Sequence, residues 1–488
     1  MTRFLKRHWP LLFLFVLALV TRLPFQSQIL YEHDTVNFAW AMEDFDLERH
    51  QPHAPGTFII LILSARWLNL WLHDANQSLV TINILAMAIA APAIYQLGSL
   101  WFNRSVGWIA AFLVLSSPLT WFYSEVGLSY TLELAWVTLL AIACHYTRNG
   151  DRRALLLSAF LLGLAGGIRP NTPIFLFPLW SISVGLGWRK NAYQIGEILL
   201  AAGVAFVGVL LWFVPLLVMC GGWSAYQIAI ANWLDSHLED TNTLSEILAN
   251  LWLWFCTILM ALGSTIIPLL SFAWSRRSDL PNFPIRDWRA QAMLLWSFPS
   301  LIYLTFVHFQ RQGHSYTVVP IIFLLAALSL YSYIQQHPSL SLQQARLWII
   351  GFILCNTVLF IAGPAEWRTW TRIRDHDRYV GERVTAITQT FPPSSTTVLS
   401  TGHYARLVSY YFRDYHSPRL GTILTNDLAF IDPRVNTLVL FDSAMLSELP
   451  PEIQVQTLPL PDGDRLRYIQ WDLPKQVKVS QQTLQIEE

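Results

Sequence analysis

The sequence is short of charge. Only 13% of its 488 residues are Asp, Glu, Lys or Arg, about half the share of near 25% in a soluble globular chain. That shortage excludes the plain water-soluble protein of about three domains that the length alone would suggest. Neither sign of charge is in excess. The 32 basic and 32 acidic residues cancel, which argues against a nucleic-acid binder. Cysteine is scarce too. Cys144, Cys220, Cys256 and Cys355 all lie inside apolar stretches, which excludes a disulfide scaffold. There is no internal repeat, no low-complexity segment and no Gly-rich phosphate loop. No small-x-small cleavage site follows the first apolar run. Thr21-Arg22-Leu23-Pro24 stands there instead, so the run reads as an uncleaved first helix.

Apolar and aromatic residues are plentiful: 53% of the chain is hydrophobic and 22 residues are Trp. The charges gather at the far end. Residues 1–363 hold 36 of the 64, and the last 125 residues hold 28. A spanning helix needs about 20 mostly apolar residues. Eleven stretches qualify: 9–25, 78–98, 105–123, 129–147, 153–169, 172–188, 195–220, 247–274, 290–308, 315–334 and 346–363. The short pair 153–169 and 172–188 is divided by Ile168-Arg169-Pro170-Asn171, where proline forbids one straight helix.

Residues 57–73 are apolar enough to span but contain Arg66. Lys and Arg accumulate in cytoplasmic loops. If 57–73 does not span, basic residues crowd one set of loops (Arg104, Arg148 to Arg153, Arg189-Lys190, Arg276 to Arg289, Arg346), and the opposite loops after residue 78 hold only Arg169 and Arg311. If it spans, the bias inverts. Residues 57–73 therefore belong to a long first external loop, 26–77, lying on or dipping into the interface. Phe38, Met42 and Phe45 give that loop a second helical stripe. The N-terminus is then cytoplasmic and the C-terminus external. The domains are a transmembrane part, 1–363, and a soluble α/β part, 364–488. In the latter Val380, Val384, Ile387 and Phe391 form a helical stripe, and Thr396–Ser400 and Val435–Phe441 read as buried strands.

Several polar residues fall on the external side. Asp34 follows the first span, in Glu32-His33-Asp34. It suits a helix N-cap that accepts from the amide of Val36 or Asn37, or a general base that deprotonates an acceptor. His33, His50 and His53 are candidate ligands of a divalent metal. Arg169 ends an apolar helix. It suits snorkelling to lipid headgroups, or a cation for phosphate. Arg311 and His314, in one external turn, offer a second cationic pair. Glu125 lies in a short external turn, and Glu133 should point into the bundle. His53 and Glu125 are candidates for substrate binding.

The order of these parts resembles the GT-C fold of integral membrane glycosyltransferases. Within it the chain is similar to the protein O-mannosyltransferase and lipid A aminoarabinose transferase group, over residues 1–335. In that group the first loop carries an Asp-Glu pair, which implies a catalytic role for Asp34; Thr35 stands where the Glu would be. His53-Ala54-Pro55 resembles the group's Lys-Pro-Pro or His-Pro-Pro turn. Gly163-Leu164-Ala165-Gly166-Gly167-Ile168-Arg169 resembles a helix end whose lysine meets donor phosphate. Arg311 to Pro320 is similar to a late basic residue-Tyr-x-x-x-Pro stretch.

The resemblance implies an all-α polytopic membrane bundle of about eleven helices, with a small extracytoplasmic α/β domain at its C-terminal end. It implies an enzyme of the inner membrane that transfers a sugar, hexosyl or pentosyl, from a polyprenyl-phosphate carrier to a lipid, glycan or protein acceptor. Asp34 would take the acceptor proton. Arg169, Arg311 and His314 would hold the donor phosphate. The partners implied are the donor lipid, the bilayer and an acceptor, with no nucleic acid. No cofactor is required beyond the divalent metal that the histidines could bind. Two other classes fit in part: a transporter or lipid flippase, although no related halves are visible, and a non-catalytic binding member of the fold.

Overall fold

The computed structural model describes the chain apart from residues 1, 54, 57, 239–242, 276–286, 337–340, 401, 417–428, 443–452, 473–475, 480–483 and 488. Ala54 and the loop residues Arg276, Arg277 and Arg286 thus lie outside the described residues. The chain divides into two units. One joins Met1–Gln26 to Ala41–Arg372, and the other joins Ser27–Trp40 to Ile373–Glu488.

The first unit opens with α1 (Thr2–Arg22). The boundary then falls inside α2 (His33–Glu43). Next come α3 (Ile59–Leu72), α4 (Ala75–Trp101), α5 (Arg104–Ser116), α6 (Pro118–Ser124), α7 (Tyr130–Arg148), α8 (Arg152–Leu164) and α9 (Asn171–Arg189). The remainder is α10 (Ile195–Met219), α11 (Trp223–Leu238), α12 (Leu244–Leu262), α13 (Ile266–Ser275), α14 (Trp288–Phe306), α15 (Val319–Gln336) and α16 (Leu342–Ala362). Each stretch marked as a span in the sequence contains a helix. Among the described residues six helical stretches are long and apolar enough to cross a membrane, and seven if the bent pair α5–α6 counts as one. The other expected crossings are weaker by this measure. α8 has only 13 residues, and the 19-residue α7 carries Glu133, His145 and Arg148.

The 60° bend between α5 and α6 has a local cause. Pro118 opens α6 and Ser117 before it is extended, at φ −61° and ψ 126°, since the residue before proline is pushed out of the helical region. α3 has 14 residues. At about 1.5 Å per residue it falls well short of the roughly 30 Å hydrocarbon core. Ile59, Leu61, Ile62 and Ala65 are buried, while Trp67, Leu70 and Trp71 are exposed. That division suits a helix lying at the interface.

α4 is the hub of the bundle and packs against α1, α3, α5 and α7. α10 is its opposite: Leu199, Leu200, Phe206 and Leu211 are exposed, as lipid-facing residues would be. Where α10 meets α8, the backbones touch closely. A Cβ on Gly163 would collide with the Ala205 carbonyl, and one on Gly208 would lie 2.8 Å from that of Phe160. Small residues are the usual means of such approach where no water drives helices together.

The second unit takes the first part of α2 and most of α17 (Trp370–Thr390), followed by α18 (Ala405–Tyr411). One sheet has the order β1 (Thr396–Leu399), β3 (Thr437–Leu440), β5 (Arg465–Gln470), β4 (Gln456–Pro459). β1 and β3 are parallel, and the other pairs are antiparallel. A second, antiparallel sheet has the order β2 (Ala429–Phe430), β6 (Gln476–Val479), β7 (Leu484–Glu487). Leu399, Leu438, Leu440, Ile469 and Trp471 form a core. The α17 stripe differs from its sequence reading. Val380, Ile387 and Phe391 are buried, but Val384 is only half-buried and Arg383 is buried beside it. Arg383 donates to the carbonyls of Phe441 (3.0 Å) and Tyr379 (3.2 Å), bonds Asp464, and lies 3.5 Å from the Tyr379 ring centre. Its donors are met, so the charge can leave water.

Candidate functional site

α8 ends at Leu164 and continues as one tight turn, Ala165–Gly167. Pro170, lacking an N–H, then sits at the start of α9. This break places Arg169 at the corner of the hairpin. Gly166 and Gly167 lie directly against Trp212, where a Cβ on either would collide with the indole. Arg169 Nη1 is 3.6 Å from Glu133 Oε2, and its guanidinium lies 5.0 Å from the Tyr130 ring centre. The Thr172 hydroxyl donates to Glu133 Oε1 at 2.6 Å. Glu133 points into the bundle, as its position in α7 suggested. A carboxylate buried there is tolerable because it has a cation and a hydroxyl.

The turn Gln312–Thr317 lies against the same spot. Gly313 rests on the face of Tyr130, with no room for a Cβ. The His314 ring is 5.9 Å from Tyr130 and stacks on His308 at 5.4 Å. Burial, followed by the Arg169 guanidinium, pushes His314 well below the ordinary histidine range; His308, Arg311 and His53 act in the same direction. Burial thus disfavours the charged form of His314, which the sequence reading paired with Arg311 as a second cationic pair. His53, Arg169 and Arg311 are thus near enough to His314 to act on its charge. A small cavity opens there, lined by Glu133, Arg169, Asn171, Tyr303, His308 and His314. Sequence reasoning missed Tyr130, Tyr303 and His308. His308, six residues before His314, was the one visible signal.

Glu125 sits elsewhere. It is fully buried just past α6. Burial pushes its carboxyl well above the usual range, with Arg22 opposing. Arg22 closes α1 and is fully buried. It donates to the Leu115 carbonyl (2.7 Å), Ser124 Oγ (3.3 Å) and Thr21 Oγ1 (3.0 Å), and lies 4.3 Å from the Trp121 ring centre. Glu125, read from the sequence as a substrate contact, has no exposed surface in this arrangement.

Asp34 belongs to the second unit. It is the second residue of α2 and half-buried. The helix start is closed by its neighbours: the Thr35 hydroxyl accepts from the Glu32 amide (3.1 Å) and donates to the Glu32 carbonyl (2.7 Å). The Asp34 carboxylate stands in the first helical turn, where the peptide dipoles favour negative charge. Thr35 thus has a structural task at the helix start. Of the candidate metal ligands, His33 is in the second unit, and its Nε2–H donates to the His403 carbonyl at 2.7 Å. His50 and His53 are in the first. Among the described residues no three His, Cys, Asp or Glu side chains are grouped to hold a metal ion.

No protein-family model matches the sequence. A curated protein of Yersinia enterocolitica serotype O:8, undecaprenyl phosphate-alpha-4-amino-4-deoxy-L-arabinose arabinosyl transferase, is 26% identical over 208 residues. The match covers 41% of this chain and 37% of that protein, so it spans little more than a third of the relative. Among solved structures, ArnT from Cupriavidus metallidurans bound to undecaprenyl phosphate superposes with a TM-score of 0.58 at 10% identity, over 95% of this chain and 98% of that one. The same protein in its apo state gives 0.56 at 11% identity over the same shares. Agreement over nearly the whole of both chains identifies the architecture: a mostly helical chain with apolar helices and a small C-terminal sheet has the GT-C fold of ArnT.

Proposed function

We propose that this protein is a membrane glycosyltransferase that moves a hexosyl or pentosyl unit from a polyprenyl-phosphate carrier to a lipid, glycan or protein acceptor on the extracytoplasmic face. The observation that carries the reading is the corner at Arg169. A guanidinium is held there by Glu133 at one nitrogen and by the face of Tyr130, beside a small cavity of mixed polar and apolar lining in a bundle with the fold of ArnT. Its other donors are suited to phosphate oxygens, which match a guanidinium fork.

The chemistry is a displacement. The acceptor O–H or N–H attacks the anomeric carbon, the bond from that carbon to the phosphate oxygen breaks, and polyprenyl phosphate leaves with the electron pair. Asp34 takes the acceptor proton as general base. Arg169 and Arg311 oppose the charge that grows on the leaving phosphate, and such stabilisation acts most strongly where water is excluded. The His314 ring supplies a hydrogen bond to the phosphosugar, and His53 lines its approach. The eleven apolar stretches are read as eleven crossings, with a cytoplasmic N-terminus and an external C-terminal unit. The cellular site is the inner membrane.

The test combines sidedness with turnover. Protease shaving of spheroplasts should cut the C-terminal unit from outside. Purified wild type should release polyprenyl phosphate from one of a panel of polyprenyl-phosphate sugars, and Asp34→Asn, at equal folded yield, should not. A protected C-terminal unit, or equal release by the variant, would sink the proposal.

A further inference from the structure

The second unit takes only Ser27–Trp40 from the first loop, and that segment carries Asp34. The rest of the unit lies some 350 residues further along the chain, yet it grips the segment along its whole length. Asp377 accepts from the Ser27 hydroxyl at 2.8 Å and from the Gln28 amide at 2.7 Å, one bond to each carboxylate oxygen. The Leu30 amide donates to Tyr411 Oη at 3.1 Å. The Tyr31 ring meets His376 at 4.8 Å. His33 bonds the His403 carbonyl. At the far end Trp40 meets Tyr410, with Arg406 over its indole at 5.7 Å.

Asp377 breaks the pattern of its own helix. Ile373, Val380 and Ile387 are fully buried in α17, and Asp377 stands in line with them, four residues after the first and three before the second. Its side chain is 12% exposed. A carboxylate on an apolar stripe gives up hydration that must be replaced by hydrogen bonds. Here the replacement comes from the residues that lead into the Asp34 helix. Departures from a local pattern of this kind mark functional or strained positions more often than ordinary ones.

We propose that the C-terminal unit is the frame that positions Asp34, and that Asp377 is its principal positioning residue. Bonds from a carboxylate to an amide and a hydroxyl are charge-assisted and directional. They fix the chain at the exit of the first span, and the His403, Tyr411 and Trp40 contacts fix the turn and helix that follow. The assignment rests on Asp34 being the base of the proposed transfer.

The test uses the full-length protein and two readouts. The first is amide hydrogen exchange over residues 28–40 in wild type, Asp377→Ala and Asp377→Asn, with Asp375→Asn as control on the same helix. The second is steady-state release of polyprenyl phosphate. The expected result for Asp377→Ala is faster exchange confined to this segment, with kcat down about 10- to 100-fold, the usual consequence of a misplaced catalytic group, and donor KM within about twofold. Asp377→Asn, which keeps one acceptor oxygen, should fall between, and it decides the matter if Asp377→Ala does not fold. Unchanged exchange overturns the proposal whatever the activity, and so does faster exchange with an unaltered kcat. A wild type that releases no polyprenyl phosphate would defeat the transferase reading, while the exchange data would still decide whether Asp377 holds the segment.

Discussion

Two arginines show how differently the two units handle charge. Arg22 and Arg383 are both buried, at 0% and 2% exposure. In the bundle, Arg22 is held by a carbonyl, two hydroxyls and an indole, with the buried Glu125 to balance it. In the second unit, Arg383 is held by two carbonyls and reaches outward to Asp464, which is 48% exposed. The bundle, with lipid around it, must satisfy a charge from within. The second unit can satisfy one against water. Where breaking a buried pair strands a charge, the loss is large; where the partner can rehydrate, the loss is small.

The sharpest test of the division lies in the chemistry assigned to each unit. Asp34→Asn should lower the rate of polyprenyl phosphate release by about 10²- to 10⁴-fold, the range for a lost general base. Binding of polyprenyl phosphate, measured separately, should hold, because the residues proposed to bind the phosphate, Arg169 and Arg311, belong to the first unit. Loss of binding would break the comparison. Next, Arg22→Met should destabilise the purified protein by about 2–4 kcal/mol, since the Leu115 carbonyl and the Ser124 hydroxyl lose a buried charged donor and Glu125 loses the cation that opposes its protonation. The double variant Arg22→Met with Glu125→Gln should recover most of this in thermal melts. Arg383→Met should cost less, about 1–2 kcal/mol, the scale of its lost hydrogen bonds. The opposite ranking would refute the contrast.

Arg169→Lys keeps the charge but loses the planar fork. It should raise donor KM about tenfold, and Arg169→Ala more. If Arg169→Ala leaves KM unchanged, phosphate binds elsewhere. The smallest effect concerns pH. The Arg465 amide and Arg383 hold Asp464 below the usual carboxylate range. A carboxylate lowered on folding stabilises above its unfolded value of about 3.9, and that contribution fades as pH falls through the folded value. The second unit should therefore lose some stability below about pH 4, and Asp464→Asn should flatten that limb of the melting profile.

Much of this was legible in the sequence because it depends on pattern. Runs of apolar residues marked every helix of the bundle that was called a span. Proline at position 170 marked the hairpin, and the Thr396 and Val435 runs marked two strands. Three features were not legible because they depend on which side chain turns toward which. Arg383 took a place in the core beside Val384, since its donors found the Tyr379 carbonyl on its own helix and the Phe441 carbonyl that only the folded sheet brings to it. His314 is pushed below the ordinary histidine range first by burial and then by Arg169, 145 residues earlier in the sequence. The first loop, which reads as one piece, is shared between two units. Nothing in the residues around Ser27 says that Asp377 is its partner.

That last partnership orders the protein's biogenesis. Synthesis delivers Ser27–Trp40 at the start and Ile373–Glu488 at the end. A ribosome that stalls just before Ile373 leaves a chain with the bundle helices made, yet without the surfaces that hold the Asp34 segment. Such a fragment could sequester donor lipid but should not consume it. Under the proposed function, the chain would become competent only after its final quarter has been made and has closed on that segment, so completion of synthesis would itself act as the switch that turns it on.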